Sequence, residues 1–144
     1  MALLEKANQM KGAAQGGQSV TIGKSQEDYL EAILILKDRV GFVRSVDLAR
    51  QLHITPASVC TMLRALTKGG YVERKSAAPY TLTLTEKGKQ VAEQTYARHC
   101  FFRRLLVDAG VDTDTAEREA CELEHAISPE SFSLLRSRLE ACAE

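Results

Sequence analysis

The chain has 144 residues, in which 19 Lys and Arg are balanced by 19 Asp and Glu. This length accommodates one domain, or two small ones, with a core large enough to fold unaided. The longest apolar run, residues 32–36, is too short to span a membrane and no stretch has the pattern of a signal peptide, so we expect a cytoplasmic protein. The four cysteines are scattered and form no CxxC pair, which argues against a disulfide framework, a zinc ribbon or a thioredoxin-type redox centre.

The charges are unevenly distributed along the chain. Residues 44–104 contain eleven Lys and Arg against four Asp and Glu, whereas residues 105–144 contain three against ten. Residues 1–43 contain five of each kind. A basic segment favours contact with a phosphate backbone, and an acidic segment favours cations. The same distribution is also compatible with two solvated faces that bind nothing.

The first 24 residues are rich in glycine and show little apolar periodicity. We predict a flexible N-terminal arm over residues 1–24, with at most a short helix near residues 2–10. A helix is then expected to begin at an N-cap on Ser25, to run to about Arg39 and to end at Gly41. Its expected buried stripe consists of Tyr29, Ile33, Leu36 and Val40.

The next segment has the pattern of a helix-turn-helix. Ser45 is expected to cap a short helix over residues 46–52, and residues 53–54 form the turn. Thr55 is expected to cap the second helix, with Pro56 at its first position, where the missing N–H group removes no hydrogen bond. The apolar face of that helix consists of Val59, Met62, Leu63 and Leu66.

Two short segments of alternating character, residues 71–75 and 80–84, predict a β-hairpin. Three further helices are predicted over residues 85–109, 113–126 and 129–141. The element order predicts a mainly α protein, with an N-terminal winged helix-turn-helix and its small β-hairpin wing over residues 25–90. An all-α domain follows over residues 91–144.

A helix-turn-helix presents the start of its second helix to base edges in the major groove, which predicts double-stranded DNA as a partner. Small hydroxyl and methyl side chains there allow a close approach to the bases, while basic side chains contact phosphates. Cys60, on the same helix, could face DNA or the core, and a small buried side chain is the more frequent role of a free cysteine. The predicted DNA-binding residues are Ser45, Thr55, Ala57, Ser58, Thr61, Arg64, Arg74 and Lys75.

Ligand-capable side chains recur on one predicted helix of the acidic segment. Cys121, Glu124 and His125 are spaced i, i+3 and i+4, which places them on one helix face within about 5–6 Å. A thiol, a carboxylate and an imidazole together favour a divalent transition metal. Apolar residues on this helix, Ala116, Ala120, Leu123 and Ile127, form a separate stripe, so we expect the ligand triplet to point away from the main packing face.

Further candidate ligands lie elsewhere in the chain. Asp28 and Glu31 are spaced i, i+3 on the first helix, where we expect them roughly opposite its buried stripe, and His99 lies midway along the long helix. Asp28 could equally be an acid that favours the helix N-terminus, and His99 could be a structural histidine. Two of the three histidines nevertheless fall within this pattern, which favours the metal-site interpretation.

Five stretches together resemble the diphtheria toxin repressor family, which includes the iron-dependent repressors and the manganese transport regulators. The resemblance covers residues 25–141 and implies homodimers that bind operator DNA when loaded with Mn(II) or Fe(II) and repress genes of metal homeostasis. It assigns metal binding and dimerisation to residues 91–144. The stretches are residues 25–31 (SQEDYLE), 55–59 (TPASV), 84–88 (LTEKG), 98–99 (RH) and 121–128 (CELEHAIS).

The expected ligands combine two branches of that family. Asp28 and Glu31 match the manganese members, and Cys121 matches the iron members. Arg103 and Glu117 replace a glutamate and a histidine of the second site of the iron members, so the resemblance does not extend to that site. We also expect a two-domain form without the SH3-like domain of longer members. The full expected set is Asp28, Glu31, His99, Cys121, Glu124 and His125.

The metal itself is left open between Mn(II) and Fe(II), and Zn(II) or Co(II) could substitute. Carboxylates favour Mn(II), whereas the Cys121 thiolate favours Fe(II), Co(II) or Zn(II). The hypothesis is that metal binding selects the orientation of the DNA-reading module that fits the operator. It requires no membrane partner and no small-molecule substrate.

Three alternatives compete with this interpretation. One is a winged-helix regulator that is not gated by metal, with a structural metal site or a redox-sensing Cys60 or Cys100. Another is a metalloenzyme, although the sequence contains no HExxH motif, glycine-rich phosphate loop or nucleophile elbow, so we predict no enzyme activity. The third is a helical interaction protein that does not bind DNA.

Overall fold

The computed structural model describes residues 22–76 and 80–142. The predicted arm therefore lies, up to residue 21, outside the described residues, as does its short helix. The described chain divides into two compact units between Gln94 and Thr95. Its elements are α1 (Lys24–Val40), α2 (Ser45–Leu52), α3 (Pro56–Lys68), β1 (Val72–Arg74), β2 (Leu82–Leu84), α4 (Glu86–Asp108), α5 (Thr113–Ala126) and α6 (Pro129–Cys142).

The predicted fold class is confirmed: helices dominate, and a two-stranded antiparallel hairpin follows the helix-turn-helix. Val72 is paired with Leu84 and Arg74 with Leu82 in this wing. None of the described helices combines the length and apolarity needed to cross a membrane. The domain limits of 25–90 and 91–144 stay a prediction.

The first unit is held together by an apolar core to which α1, α2, α3 and the wing all contribute. Tyr29, Ile33 and Leu36 are buried as expected, but Val40 is 52% exposed, because it lies in the last turn of α1, just before the left-handed Gly41. The most buried members of this core are Leu30, Ile33, Val43, Leu48, Val59, Leu63, Leu66 and Val72.

Two of the three expected helix caps were wrong by one or two residues. The N-cap of α1 is Gly23, not Ser25, and its N–H donates to the Gln26 side chain at 3.3 Å. The N-cap of α2 is Arg44, whose backbone N–H donates to Asp47 at 3.0 Å, so Ser45 is the first helical residue. The cap of α3 is confirmed, since Thr55 Oγ1 accepts from the Ser58 N–H at 3.2 Å.

The start of α4 is fixed against the end of α3 by one threonine and one glycine. The Thr85 hydroxyl donates to the Gly70 carbonyl at 2.6 Å and accepts from the Gly88 N–H at 3.1 Å. A Cβ atom at Gly88 would overlap the carbonyl oxygen of Tyr71. Only a glycine therefore lets the helix backbone approach Tyr71 this closely.

In the second unit, the predicted apolar stripe of α5 was only half right. Ala116 and Ala120 are fully buried, but Leu123 is 38% exposed and Glu124 is 1% exposed. The buried face of α5 thus continues into the ligand triplet through Glu124. The aromatic rings of Phe101, Phe102 and Phe132 contact one another in the same unit.

Candidate metal centre and nucleic-acid interface

Three candidate ligands from two helices meet in the second unit. His99 comes from α4, and Cys121 and Glu124 come from successive turns of α5. One ligand atom of each lies within 4.8 Å of the others. Nδ1 of His99 lies 2.9 Å from Oε2 of Glu124 and 3.6 Å from Sγ of Cys121. The i, i+3 spacing on α5 brings the thiol and the carboxylate to the same ring nitrogen.

Glu124 is the least exposed member of this cluster. Among the residues that the structure describes, its Oε1 atom has no hydrogen-bond partner. Nε2 of His125 lies 3.1 Å from Oε1, but without hydrogen-bond geometry. A buried carboxylate oxygen without a donor is unfavourable unless a cation compensates for it. The donor set of thiolate, imidazole and carboxylate therefore fits a divalent metal ion.

The electrostatics of the cluster also favour a positive charge. Burial lowers the pKa of His99, but the hydrogen bonds to Cys121 and Glu124, together with their charges, outweigh burial and raise the pKa from 6.5 to about 11. A metal ion that binds Nδ1 would replace a proton there. The site thus accommodates either a proton on His99 or a metal ion.

Arg98 is a buried residue near the cluster to which the sequence analysis assigned no role. Its Nε donates to the main-chain oxygen of Glu124 at 2.8 Å, and its Nη2 donates to the Thr95 hydroxyl at 3.4 Å. These contacts tie the end of α5 to α4. No spacing rule could have identified this role, because the partner is a backbone atom 26 positions away.

The other predicted ligands are placed as follows. His125 lies next to Glu124, with an intermediate exposure. Asp28 and Glu31 lie on α1, in the first unit, and Glu31 is only 8% exposed although it was expected opposite the buried stripe. The roles of all six predicted residues as ligands stay predictions.

The predicted DNA-binding residues are all exposed on the first unit. The three hydroxyl groups of this set at the start of α3 make local hydrogen bonds: Thr55 Oγ1 and Ser58 Oγ lie 2.9 Å apart, and the Thr61 hydroxyl donates to the Ala57 carbonyl at 3.1 Å. Each hydroxyl group can therefore offer a base edge only the hydrogen bonds that these local contacts leave unused. The exposed set is Ser45, Thr55, Ala57, Ser58, Thr61, Arg64, Arg74 and Lys75.

Cys60 is exposed on α3, so of the two placements that the sequence left open it does not take the one in the core. The apolar face of α3 is already filled by Val59, Leu63 and Leu66, which are fully buried. Position 60 lies outside that stripe and shares the solvent side with Arg64.

Comparison with known proteins matches both parts of the chain to one family. Residues 21–78 match the family model of the iron dependent repressor N-terminal DNA binding domain, and residues 85–144 match that of its metal binding and dimerisation domain. The chain is also 38% identical over 122 residues to an uncharacterised HTH-type transcriptional regulator, MJ0568, from Methanocaldococcus jannaschii. That match covers 83% of this chain and 95% of the relative. The chain belongs to the iron-dependent repressor family.

Members of the iron-dependent repressor family are metal-dependent transcriptional regulators, and the resemblance noted in the sequence is confirmed. Among solved structures, the manganese regulator SloR is 26% identical, with a TM-score of 0.70 over 80% of this chain. The IdeR protein of T. acidophilum is 25% identical, with a TM-score of 0.65 over 86% of this chain. The matches cover 53% of the SloR chain and 56% of the IdeR chain, so this chain spans about half the length of both.

Proposed function

We propose that this iron-dependent repressor family member binds double-stranded operator DNA as a homodimer when a divalent metal ion occupies the His99–Cys121–Glu124 cluster. The observation that carries the proposal is the buried Glu124 carboxylate, whose Oε1 has no hydrogen-bond donor among the described residues. Occupancy of this cluster would favour one state of the protein over another, as any ligand with unequal affinities does.

Further parts of the proposal rest on the sequence pattern. Asp28, Glu31 and His125 are proposed as additional ligands, and residues 91–144 are proposed to form the metal-binding and dimerisation domain. The exposed small residues at the start of α3 are proposed to read base edges, and Arg64, Arg74 and Lys75 to contact phosphates. The metal-loaded protein is proposed to repress genes of metal homeostasis.

The metal is proposed to be Mn(II) or Fe(II). SloR is described as a manganese regulator, and another structural neighbour, 26% identical with a TM-score of 0.70, as a manganese-dependent transcriptional repressor in complex with manganese. The Cys121 thiol supports a softer ion, for which Fe(II) is the better fit than Mn(II). Because both arguments concern the same site, a titration in which Mn(II) and Fe(II) compete for the protein decides which ion it prefers.

Titration of the purified protein with Mn(II), Fe(II) and Zn(II) tests the proposal. Binding to a labelled fragment from upstream of its own gene is followed by fluorescence anisotropy at one fixed salt concentration, because phosphate contacts make affinity strongly salt-dependent. We expect tight binding only in the presence of metal, and its loss on addition of a chelator. Equal affinity with and without metal would overturn the metal-gated function.

A second candidate function, a regulator that senses oxidants, is favoured by the exposure of Cys60 on α3. The same anisotropy measurement on a Cys60→Ser variant separates the two. If both proteins bind DNA in a metal-dependent way and peroxide does not affect that binding, the redox function is excluded. Loss of DNA binding on oxidation of the wild-type protein, absent in Cys60→Ser, would establish it.

A further inference from the structure

The two ring nitrogens of His99 have different surroundings. Nδ1 faces the cluster, at 2.9 Å from Glu124 and 3.6 Å from Cys121. Nε2 points to the opposite side and lies 2.8 Å from Oε1 of Glu117. The His99 side chain is 8% exposed, so both nitrogens have lost most of their contact with water and depend on these partners.

Glu117 also forms an ion pair with an arginine on α4. Its Oε2 atom lies 2.7 Å from Nε of Arg103. Arg103 lies one turn after His99 on α4, and Glu117 lies one turn before Cys121 on α5. Glu117 is 53% exposed, and an exposed glutamate without a fixed partner samples several rotamers. The guanidinium group pairs with Oε2, while the other carboxylate oxygen, Oε1, lies beside Nε2 of His99.

We propose that Glu117, oriented by Arg103, is a positioning residue that selects the tautomer of His99 and so commits Nδ1 to the metal ion. This inference rests on the proposed function, because it assumes that the cluster binds a metal. A neutral imidazole that donates one nitrogen to a metal carries its proton on the other nitrogen. A carboxylate that accepts this N–H fixes the ring orientation and makes the ligating nitrogen more basic.

The arrangement gives each residue a distinct task. When a metal ion replaces the proton on Nδ1, beside Cys121 and Glu124, the other proton stays on Nε2 and is donated to Glu117 Oε1. Arg103 acts through Glu117, because its Nε pairs with Oε2 of that carboxylate at 2.7 Å. Removal of Glu117 therefore leaves all the ligands in place and removes only the preference between the two nitrogens.

The first test is a Co(II) titration of the full-length protein, monitored by the charge-transfer absorption between the Cys121 thiolate and cobalt. We expect Glu117→Ala to weaken cobalt binding by about 10- to 100-fold. Glu117→Gln keeps an oxygen acceptor for the Nε2 proton and is expected to recover part of that loss. Arg103→Ala should weaken binding less than Glu117→Ala, because the carboxylate is still present but is no longer fixed.

Two variants of neighbouring exposed residues are matched controls. Glu119→Ala removes a carboxylate from the same helix, and Arg104→Ala removes a guanidinium that is paired with Asp108 at 3.6 Å. Both are expected to bind cobalt like the wild-type protein. If Glu117→Ala binds cobalt no more weakly than Glu119→Ala, the inference is wrong.

Nitrogen NMR of His99 in the Zn(II)-loaded protein gives a second readout that a merely structural role of Glu117 would not change. We expect Nδ1 bound to zinc and Nε2 protonated in the wild-type protein, and a mixture of both ligation modes in Glu117→Ala. Ligation of zinc through Nε2 in the wild-type protein would overturn the inference while leaving the metal site intact. Failure of the wild-type protein to bind cobalt or zinc would instead overturn the proposed function, and the inference with it.

Discussion

At the scale of single residues, the metal site depends on one buried carboxylate and one thiol on the same helix. Glu124 is almost fully buried, whereas Cys121 is exposed and only 3.6 Å from the His99 ring. The carboxylate is thus fixed by packing, and the thiol is the ligand that can be exchanged without disturbing the core. Cys121 is for this reason the residue through which metal preference is best altered.

We predict that Cys121→Glu shifts activation toward Mn(II), because it replaces a soft thiolate by a hard carboxylate at an exposed position. The ratio of Mn(II) to Zn(II) affinity, measured by competition titration, should rise on the order of tenfold. Cys142→Glu, at an exposed cysteine outside the cluster, is the matched control. An unchanged ratio in Cys121→Glu would show that Cys121 is not a ligand.

The residue scale is also where sequence reasoning reached its limit. The spacing of Cys121, Glu124 and His125 follows from helix geometry and was read directly from the chain. The burial of Glu124 was missed, because apolar periodicity selects Leu123 for the core and cannot anticipate that a carboxylate takes its place. The contact between Arg103 and Glu117 depends on which faces of α4 and α5 meet, which no local pattern determines.

At the scale of elements, the helix ends are set by side chains that satisfy the first N–H groups. In α2, Asp47 accepts from the backbone N–H, Nε and Nη2 of Arg44 at 3.0–3.1 Å. The sequence predicted that these helices begin at capped ends, but not which residues are the caps. Ser25 and Ser45 are of a residue type that often caps helices, yet the N-cap positions are taken by Gly23 and Arg44. The apolar stripes of α1 and α3 were predicted more accurately than the ends of either helix.

We predict that Asp47→Asn destabilises the protein in a pH-dependent way. Hydrogen bonds from the Arg44 side chain are the main cause that holds the pKa of Asp47 below its usual 3.8. The charged form is therefore favoured in the folded state, and its contribution is complete above the unfolded pKa and is lost as pH falls through the folded pKa. Because the pair is screened by water, the loss at neutral pH should be below about 1 kcal/mol.

Urea unfolding of the wild-type protein and of Asp47→Asn across the acid range measures this difference. The difference between the two free energies of unfolding should begin to shrink near pH 4, where the unfolded aspartate becomes protonated, and should vanish only below the lower pKa of folded Asp47. Asp38→Asn, at an exposed site on α1, controls for a general effect of charge removal. A difference between wild type and Asp47→Asn that stays constant down to the lowest pH would contradict the ion-pair explanation.

At the scale of the whole molecule, the chain joins a basic segment that matches a DNA binding domain to an acidic segment that matches a metal binding and dimerisation domain. The order of elements and the change in charge along the chain were both evident from the sequence. The helix predicted over residues 85–109 also agrees with α4, which runs without a break from Glu86 to Asp108 through the boundary between the two units. If metal binding and DNA binding are linked, the metal prefers the state of the protein that binds DNA over the state that does not. It can then change the affinity for DNA only by as much as its own affinity differs between these two states.

The operator dissociation constant of the wild-type protein and of Glu124→Gln, each measured with saturating Mn(II) and then with excess chelator, tests the central claim most directly. The Gln variant keeps the size of the buried side chain and removes the charge that a cation would neutralise. We predict that the metal tightens wild-type binding by roughly 5- to 150-fold at fixed salt and leaves Glu124→Gln near the chelated value. Equal tightening by the metal in both proteins would contradict the account.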